Sequence, residues 1–211
     1  EREREREMEG SPSNHFLAAL LIVLAFTSYI NLSSAAGAIA GKSSTEFIRT
    51  SCSATTYPKL CYTTLSNQAR VIQTSPMLLA HTALSVTLDT ARSTSAMMLR
   101  LSQSHGMKPR EVAAMRDCLE ELSDSVDQLR KSMGEMNQLK GSKFDQMMND
   151  IQTWVSAALT DDDTCTDGFT GNKAMNEKLK TVVRGRIVNI AHLTSNALAL
   201  INSYASLHLH G

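Results

Sequence analysis

Between residues 115 and 133 the apolar side chains Met115, Leu119, Leu122, Val126, Leu129 and Met133 recur at intervals of 4-3-4-3-4. That spacing puts all six on one stripe of an α-helix, whereas a strand would repeat every two residues. Such a seam is insoluble alone and needs partner helices of matching pattern to cover it.

Three further segments supply them. Ser75-Pro76 reads as a helix start, Ser as N-cap and Pro at the first position, where its missing N–H is harmless. Leu78, Leu79, Leu84, Val86, Leu88, Met97, Leu99 and Leu101 fill that helix up to "SHGMKPRE". There Gly106 suits a left-handed turn and Pro109 opens the seam helix. Gly134 and Gly141 are the expected breakers at its far end. Phe144, Met148, Ile151, Val155 and Ala158, with Trp154 beside them, mark the next helix. Leu179, Val183, Ile187, Ile190, Leu193, Ala197, Leu200 and Tyr204 mark the last. Short polar connections force neighbours antiparallel, so the expected fold is all-α, an up-down-up-down four-helix bundle. Sparse Gly, Pro and aromatic residues agree with helices.

Four cysteines, Cys52, Cys61, Cys118 and Cys165, allow three pairings. The C-x8-C spacing makes Cys52–Cys61 the easiest closure, which leaves Cys118 for Cys165. Loops of these sizes would contribute about 2.7 and about 4 kcal/mol. The first pair would clip two short helical pieces, Thr45–Ser51 and Tyr57–Leu65, into a hairpin too small to fold without docking elsewhere. A zinc site would need C-x2-4-C knuckles, which are absent.

Upstream, Phe16–Phe26 is an unbroken apolar run of eleven residues followed by "SSAAGAIAG". That is the pattern of a secretory signal with cleavage after Ala36 or Ala40; a membrane-spanning helix wants about 20 apolar residues. No Lys or Arg lies between Met8 and this run, which departs from the usual signal. The alternating "EREREREMEG" before it has no apolar face, and residues 1–7 read as translated leader sequence, with residues 8–40 as the signal. Residues 41–211 then form one domain bearing 18 basic and 16 acidic residues, a balance that gives no reason to expect nucleic acid. The chain is expected to be extracellular, with no membrane attachment after cleavage. The only Asn-x-Ser/Thr site, Asn31, falls inside the signal.

Chemistry is scarce. The six His are scattered, and no metalloprotease, nucleophile-elbow or phosphate-loop motif is present. His81 and His192 suit half-buried structural positions, while His208 and His210 lie in what reads as a fraying tail. "TDDDTCTDG" lacks the ligand spacing of a calcium loop, so Asp161–Asp163 read as a solvated helix corner. Most of the eleven Met fit the core. The chain is therefore expected not to be an enzyme and to hold no cofactor or metal. One feature stands outside the core pattern: Glu120, Asp124 and Asp127, at i, i+4 and i+7, share a face beside the seam. They read either as a solvated helix face or as a docking stripe.

"EFIRTSCSATTYPKLCYTTL", "CLEELSDSVDQL", "TWVSAALTDDDTCTDGF" and "TSNALALIN" together resemble the plant pectin methylesterase and invertase inhibitors over the whole of residues 41–211. The resemblance implies a four-helix bundle with an N-terminal hairpin and the cysteine pairing given above. It implies a secreted cell-wall inhibitor that covers an enzyme's polysaccharide cleft in a 1:1 complex without covalent chemistry. Contacts would fall on Glu120, Asp124 and Asp127, and on Thr164 and Asp167 around Cys165. "SAALT…TCTDGF" is closer to the methylesterase inhibitors; invertase inhibitors carry Pro-Lys-Phe where this chain has Ser142-Lys143-Phe144. The remaining alternatives are invertase as the target, or a stand-alone structural or chaperone-like module akin to methylesterase pro-regions.

Overall fold

The computed structural model describes residues 41–139, 141–170 and 175–209. The Glu-Arg run, the signal-like segment with both cleavage points, and His210 lie outside the described residues. Helix α1 covers residues 41–53 and α2 Pro58–Leu65; a 3-10 turn, Ser66–Gln68, leads into the short α3, Ala69–Ile72. The long helices are α4 (Pro76–Ser102), α5 (Pro109–Met136), α6 (Phe144–Gly168) and α7 (Glu177–Leu209). No strand occurs among the described residues, and none of their helices is long and apolar enough to cross a membrane.

Local chemistry explains the helix starts. Ser75 Oγ accepts from the Leu78 N–H at 3.3 Å, with Pro76 at the first position. At α5, Pro109 is followed by Glu111, whose carboxylate returns to the Lys108 N–H at 2.8 Å. Helix α5 runs through Gly134 to Met136, so that glycine is no breaker; Gly141, at φ +56°, is. Helix α7 continues to Leu209, and His208 is no fraying tail: its ring stacks on Phe144 at 4.3 Å.

The bundle closes as a ring, α4 on α5, α5 on α6, α6 on α7 and α7 on α4. Cross-contacts give the directions. Along α5 and α6 the partners are Cys118–Cys165, Ser125–Asp162 and Ser132–Ile151, one number rising as the other falls. Asp162–Thr194, Gln152–Asn202 and Phe144–His208 do the same for α6 and α7. Neighbours are antiparallel.

The buried lines differ from the apolar stripes in one instructive way. In α5 the buried residues Met115, Cys118, Leu122, Ser125, Leu129, Ser132 and Met136 keep the heptad spacing, while Leu119 and Met133 are only partly covered. Small Cys118, Ser125 and Ser132, seven apart, face inward and let α6 approach; the Cα atoms of Cys118 and Cys165 are 4.4 Å apart. In α6 the line is Met148, Ile151, Val155, Ala158, Asp162, Cys165 and Phe169. In α4 it is Ala80, Leu84, Thr87, Ala91, Thr94 and Met98, and Leu99 is half exposed instead.

Asp162 thus sits on a core position, 0% exposed, and the expectation of a solvated corner at Asp161–Asp163 is wrong for it. Its Oδ1 accepts from Ser125 Oγ on α5 and its Oδ2 from Thr194 Oγ1 on α7, both at 2.9 Å. Thr194 Oγ1 also lies 3.0 Å from the Ile190 carbonyl. Burial pushes the Asp162 carboxyl up from 3.8 to about 7; the two hydroxyls pull it down, and Asp161 and Asp163 add to the rise. The neutral acid is fully satisfied: its O–H donates to Thr194, which donates to Ile190, while Ser125 donates to the other oxygen.

The hairpin of α1 and α2, closed by Cys52–Cys61, docks on α7. Asn196 Oδ1 accepts from the Tyr57 N–H and its Nδ2 donates to the Tyr57 carbonyl, each at 3.0 Å. The Tyr57 ring stacks on His192 at 3.6 Å, and Ile48, Cys52, Cys61 and Leu65 are buried. A turn leads from α3 to α4, with Ser75 N–H donating to Ile72 O at 3.1 Å and Gln73 at φ 53°, ψ −121°. That is the first central position of a type II′ turn, which glycine adopts without strain.

Two consequences are measurable. Because Asp162 is raised in the folded state, its stability contribution is full below about 4 and is lost as pH rises towards about 7. Denaturant unfolding should show stability falling by up to about 1.4 kcal/mol per pH unit across that window. Asp162→Asn should flatten this slope, and Asp162→Ala should destabilise by about 2–4 kcal/mol. Gln73→Gly should stabilise by about 0.5–1 kcal/mol in the same measurement.

Candidate functional site

The α5–α6 surface above the Asp162 layer carries the acidic residues that sequence singles out. Glu120, Asp124 and Asp127 are all exposed on α5, one helical turn apart, and Asp127 pairs with Arg130. Thr164 and Asp167 are exposed on α6, on either side of Cys165. The Cys118–Cys165 bond fixes α5 against α6 beside both sets, with Glu120 two residues beyond Cys118. Thr164 Oγ1 donates to the Thr160 carbonyl at 2.8 Å, so its hydroxyl oxygen remains able to accept.

Two carboxylates absent from the sequence-derived set complete the face. Asp161 is half buried at the α5–α6 seam, and its Oδ2 is buried without a hydrogen-bond partner. Burial, then the charges of Glu121 and Asp124 across the seam, push its carboxyl up from 3.8 to about 6. Glu121 itself is half buried. The antiparallel register was the missing signal: bonding 118 to 165 sets 121 and 124 opposite the 158–162 turn. Farther along the seam Glu135 is raised by burial and by Asp150, so the acidic character continues.

Like charges this close repel, and only a rigid scaffold keeps them together. The crosslink and the Asp162 layer beneath supply it. A second carboxylate, Glu111, secures the end of the bundle. Its Oε2 accepts from Lys108 N–H at 2.8 Å and its Oε1 from Asn176 N–H at 2.7 Å, tying the start of α5 to that of α7. Those two backbone bonds hold its carboxyl below the ordinary 4.5.

Elsewhere the four cysteines and three of the histidines are engaged in structure. All four cysteines are bonded in the pairs Cys52–Cys61 and Cys118–Cys165, and no three metal-ligating residues converge among the described residues. His81 Nε2 meets Asn137 Oδ1 at 2.8 Å, His192 stacks on Tyr57, and His208 on Phe144. What the surface presents instead is a set of exposed and half-buried carboxylates.

Comparison with known proteins agrees on the architecture. Residues 46–200 match the family model described as plant invertase/pectin methylesterase inhibitor. A "21 kDa protein" of Daucus carota is 45% identical over 206 residues, 96% of this chain and 100% of the relative. Pectinesterase inhibitor 11 of Arabidopsis thaliana is 45% identical over 192 residues, 88% and 95% of the two chains. A crystal structure of a mutant form of a pectin methylesterase inhibitor from Arabidopsis shares the fold at TM-score 0.59 and 23% identity, over 72% of this chain and 92% of that one. The long a/d helices, the two disulfides and the matched 46–200 region lead to one assignment: the chain belongs to the plant invertase/pectin methylesterase inhibitor family.

Proposed function

We propose that this chain is a secreted inhibitor of pectin methylesterase. Residues 8–40 direct export to the cell wall and residues 41–211 act there, with residues 1–7 playing no part. The α5–α6 face docks over the enzyme's pectin-binding cleft in a 1:1 complex and blocks the polymer without covalent chemistry. The observation that carries this reading is the exposed acidic face, crosslinked at Cys118–Cys165, in a chain closely related along its length to a pectinesterase inhibitor. A preorganised face loses little conformational entropy on docking, so an interface of standard size suffices for tight binding.

The packing of Phe144 favours methylesterase over invertase. Its ring is half buried against Tyr204 and His208, at the first residue of α6. A side chain spent on closing the bundle is not presented to a partner, and the preceding Pro of the invertase pattern is Ser142.

The deciding experiment adds the oxidised 41–211 chain to pectin methylesterase and, in parallel, to acid invertase at pH near 6. Stoichiometric loss of methylesterase activity alone is expected; loss of invertase activity alone would refute the proposal. Glu120→Ala with Asp124→Ala should weaken inhibition about tenfold or more, a hot-spot-sized effect, and leave the melting temperature unchanged. Docking desolvates Asp161 further, so the complex takes up a proton, and affinity should fall as pH rises above about 6. Asp161→Asn should flatten that profile; an unchanged profile would remove Asp161 from the interface.

A further inference from the structure

Charge is segregated along the helices. Helix α6 carries six Asp and no Lys or Arg, whereas Lys178, Lys180, Arg184 and Arg186 fall within nine residues of α7 beside the single acid Glu177. Lys180 spends its ammonium on Glu177 at 2.9 Å. Lys178, Arg184 and Arg186 are exposed and enter no ion pair among the described residues. Lys178, Val182 and Arg186 stand at i, i+4 and i+8, in steps of about 6 Å along one side of the helix. Val182 is 48% exposed, an apolar step between two cations.

This row borders a shallow cavity of about 300 Å³ between the end of α4, the loop to α5 and the start of α7. Leu101, His105, Met107, Lys178, Leu179 and Val182 line it. The acid that reaches it, Glu111, is buried and engages both oxygens with backbone N–H groups. Exposed Arg100 and Arg110 lie on the flanking helix ends.

We propose that this end of the bundle binds polygalacturonate, the de-esterified and polyanionic form of pectin. Unneutralised cations spaced along a helix complement carboxylates repeated along a chain, and the aliphatic surface between them fits the apolar faces of sugar rings. The lining offers one imidazole, His105, and no Phe, Tyr or Trp on which successive nucleic-acid bases could stack. The choice of polymer rests on the methylesterase reading, since that enzyme's product is this polyanion. An inhibitor so equipped would be retained where de-esterification has already occurred.

Retention of the oxidised 41–211 chain on immobilised polygalacturonate and on highly methyl-esterified pectin, from 20 to 300 mM salt, tests this. Retention on polygalacturonate alone, lost as salt rises, is expected. The triple variant Lys178→Ala, Arg184→Ala, Arg186→Ala should lose at least tenfold in retention and inhibit methylesterase like wild type. Equal retention on both polymers, none at 20 mM salt, or an unaffected triple variant would overturn the proposal. So would a triple variant that keeps its hold on the polymer but fails to inhibit, because the cations would then be enzyme contacts. Retention by a chain that inhibits no methylesterase would sink the inhibitor reading and leave this surface standing.

Discussion

One carboxyl group joins three of the four long helices. Asp162 on α6 meets Ser125 of α5 and Thr194 of α7 at core positions of all three, with no exposure to solvent. Apolar residues pack nearly as well after a one-turn slip, but a buried acid loses its donors, and an unsatisfied polar group in a core costs about 1–3 kcal/mol or more. The layer therefore selects one register between α5, α6 and α7, and the Cys118–Cys165 bond locks the same register covalently. The outward residues inherit it: with Ser125 turned in, Asp124 turns out, and with Asp162 turned in, Asp161 lies at the seam opposite Glu121 and Asp124.

Hydrophobic periodicity made the four long helices and their order legible, because heptad spacing survives in every one of them, and the C-x8-C spacing made the clipped hairpin legible. It did not reveal which line faces inward. In α5 the apolar residues Leu119 and Met133 are only partly covered while Ser125 and Ser132 are buried, since closeness to α6 matters there more than side-chain volume. In α6 the apolar count stops at Ala158, yet four residues on comes Asp162, then Cys165 and Phe169, all buried. Extending the 3-4 spacing through the acid would have found it. The strained turn at Gln73 has no such signal, because a residue other than Gly occupies a position that Gly would announce.

The same strings that carry the family resemblance serve two separate purposes. In "CLEELSDSV" the inward residues Cys118, Leu122 and Ser125 build the bundle, while Glu120 and Asp124 between them are exposed. In "TDDDTCTDGF" Asp162, Cys165 and Phe169 are buried, whereas Thr164 and Asp167 face solvent. In "TSNALALIN" Thr194 satisfies Asp162 and Asn196 clamps the hairpin through the Tyr57 backbone. Buried and exposed residues thus alternate within each string. Outward residues can change without disturbing the layer that orients them, which is why belonging to the family speaks directly to architecture.

Acidity ties the interior to the surface. Below about 7 Asp162 is neutral and its three-helix layer carries no buried charge; below about 6 Asp161 is neutral and the repulsion with Glu121 and Asp124 relaxes. Glu111 acts in the opposite sense: its carboxyl is held below 4.5 by two backbone N–H groups, so the link it makes between α5 and α7 survives in mild acid and fails only in stronger acid. The two limbs leave a window on the acid side of neutrality in which scaffold and face are both at their least strained. A surface crowded with carboxylates is a poor candidate for burial at neutral pH. It becomes a good one where its most deeply set member has already given up its charge.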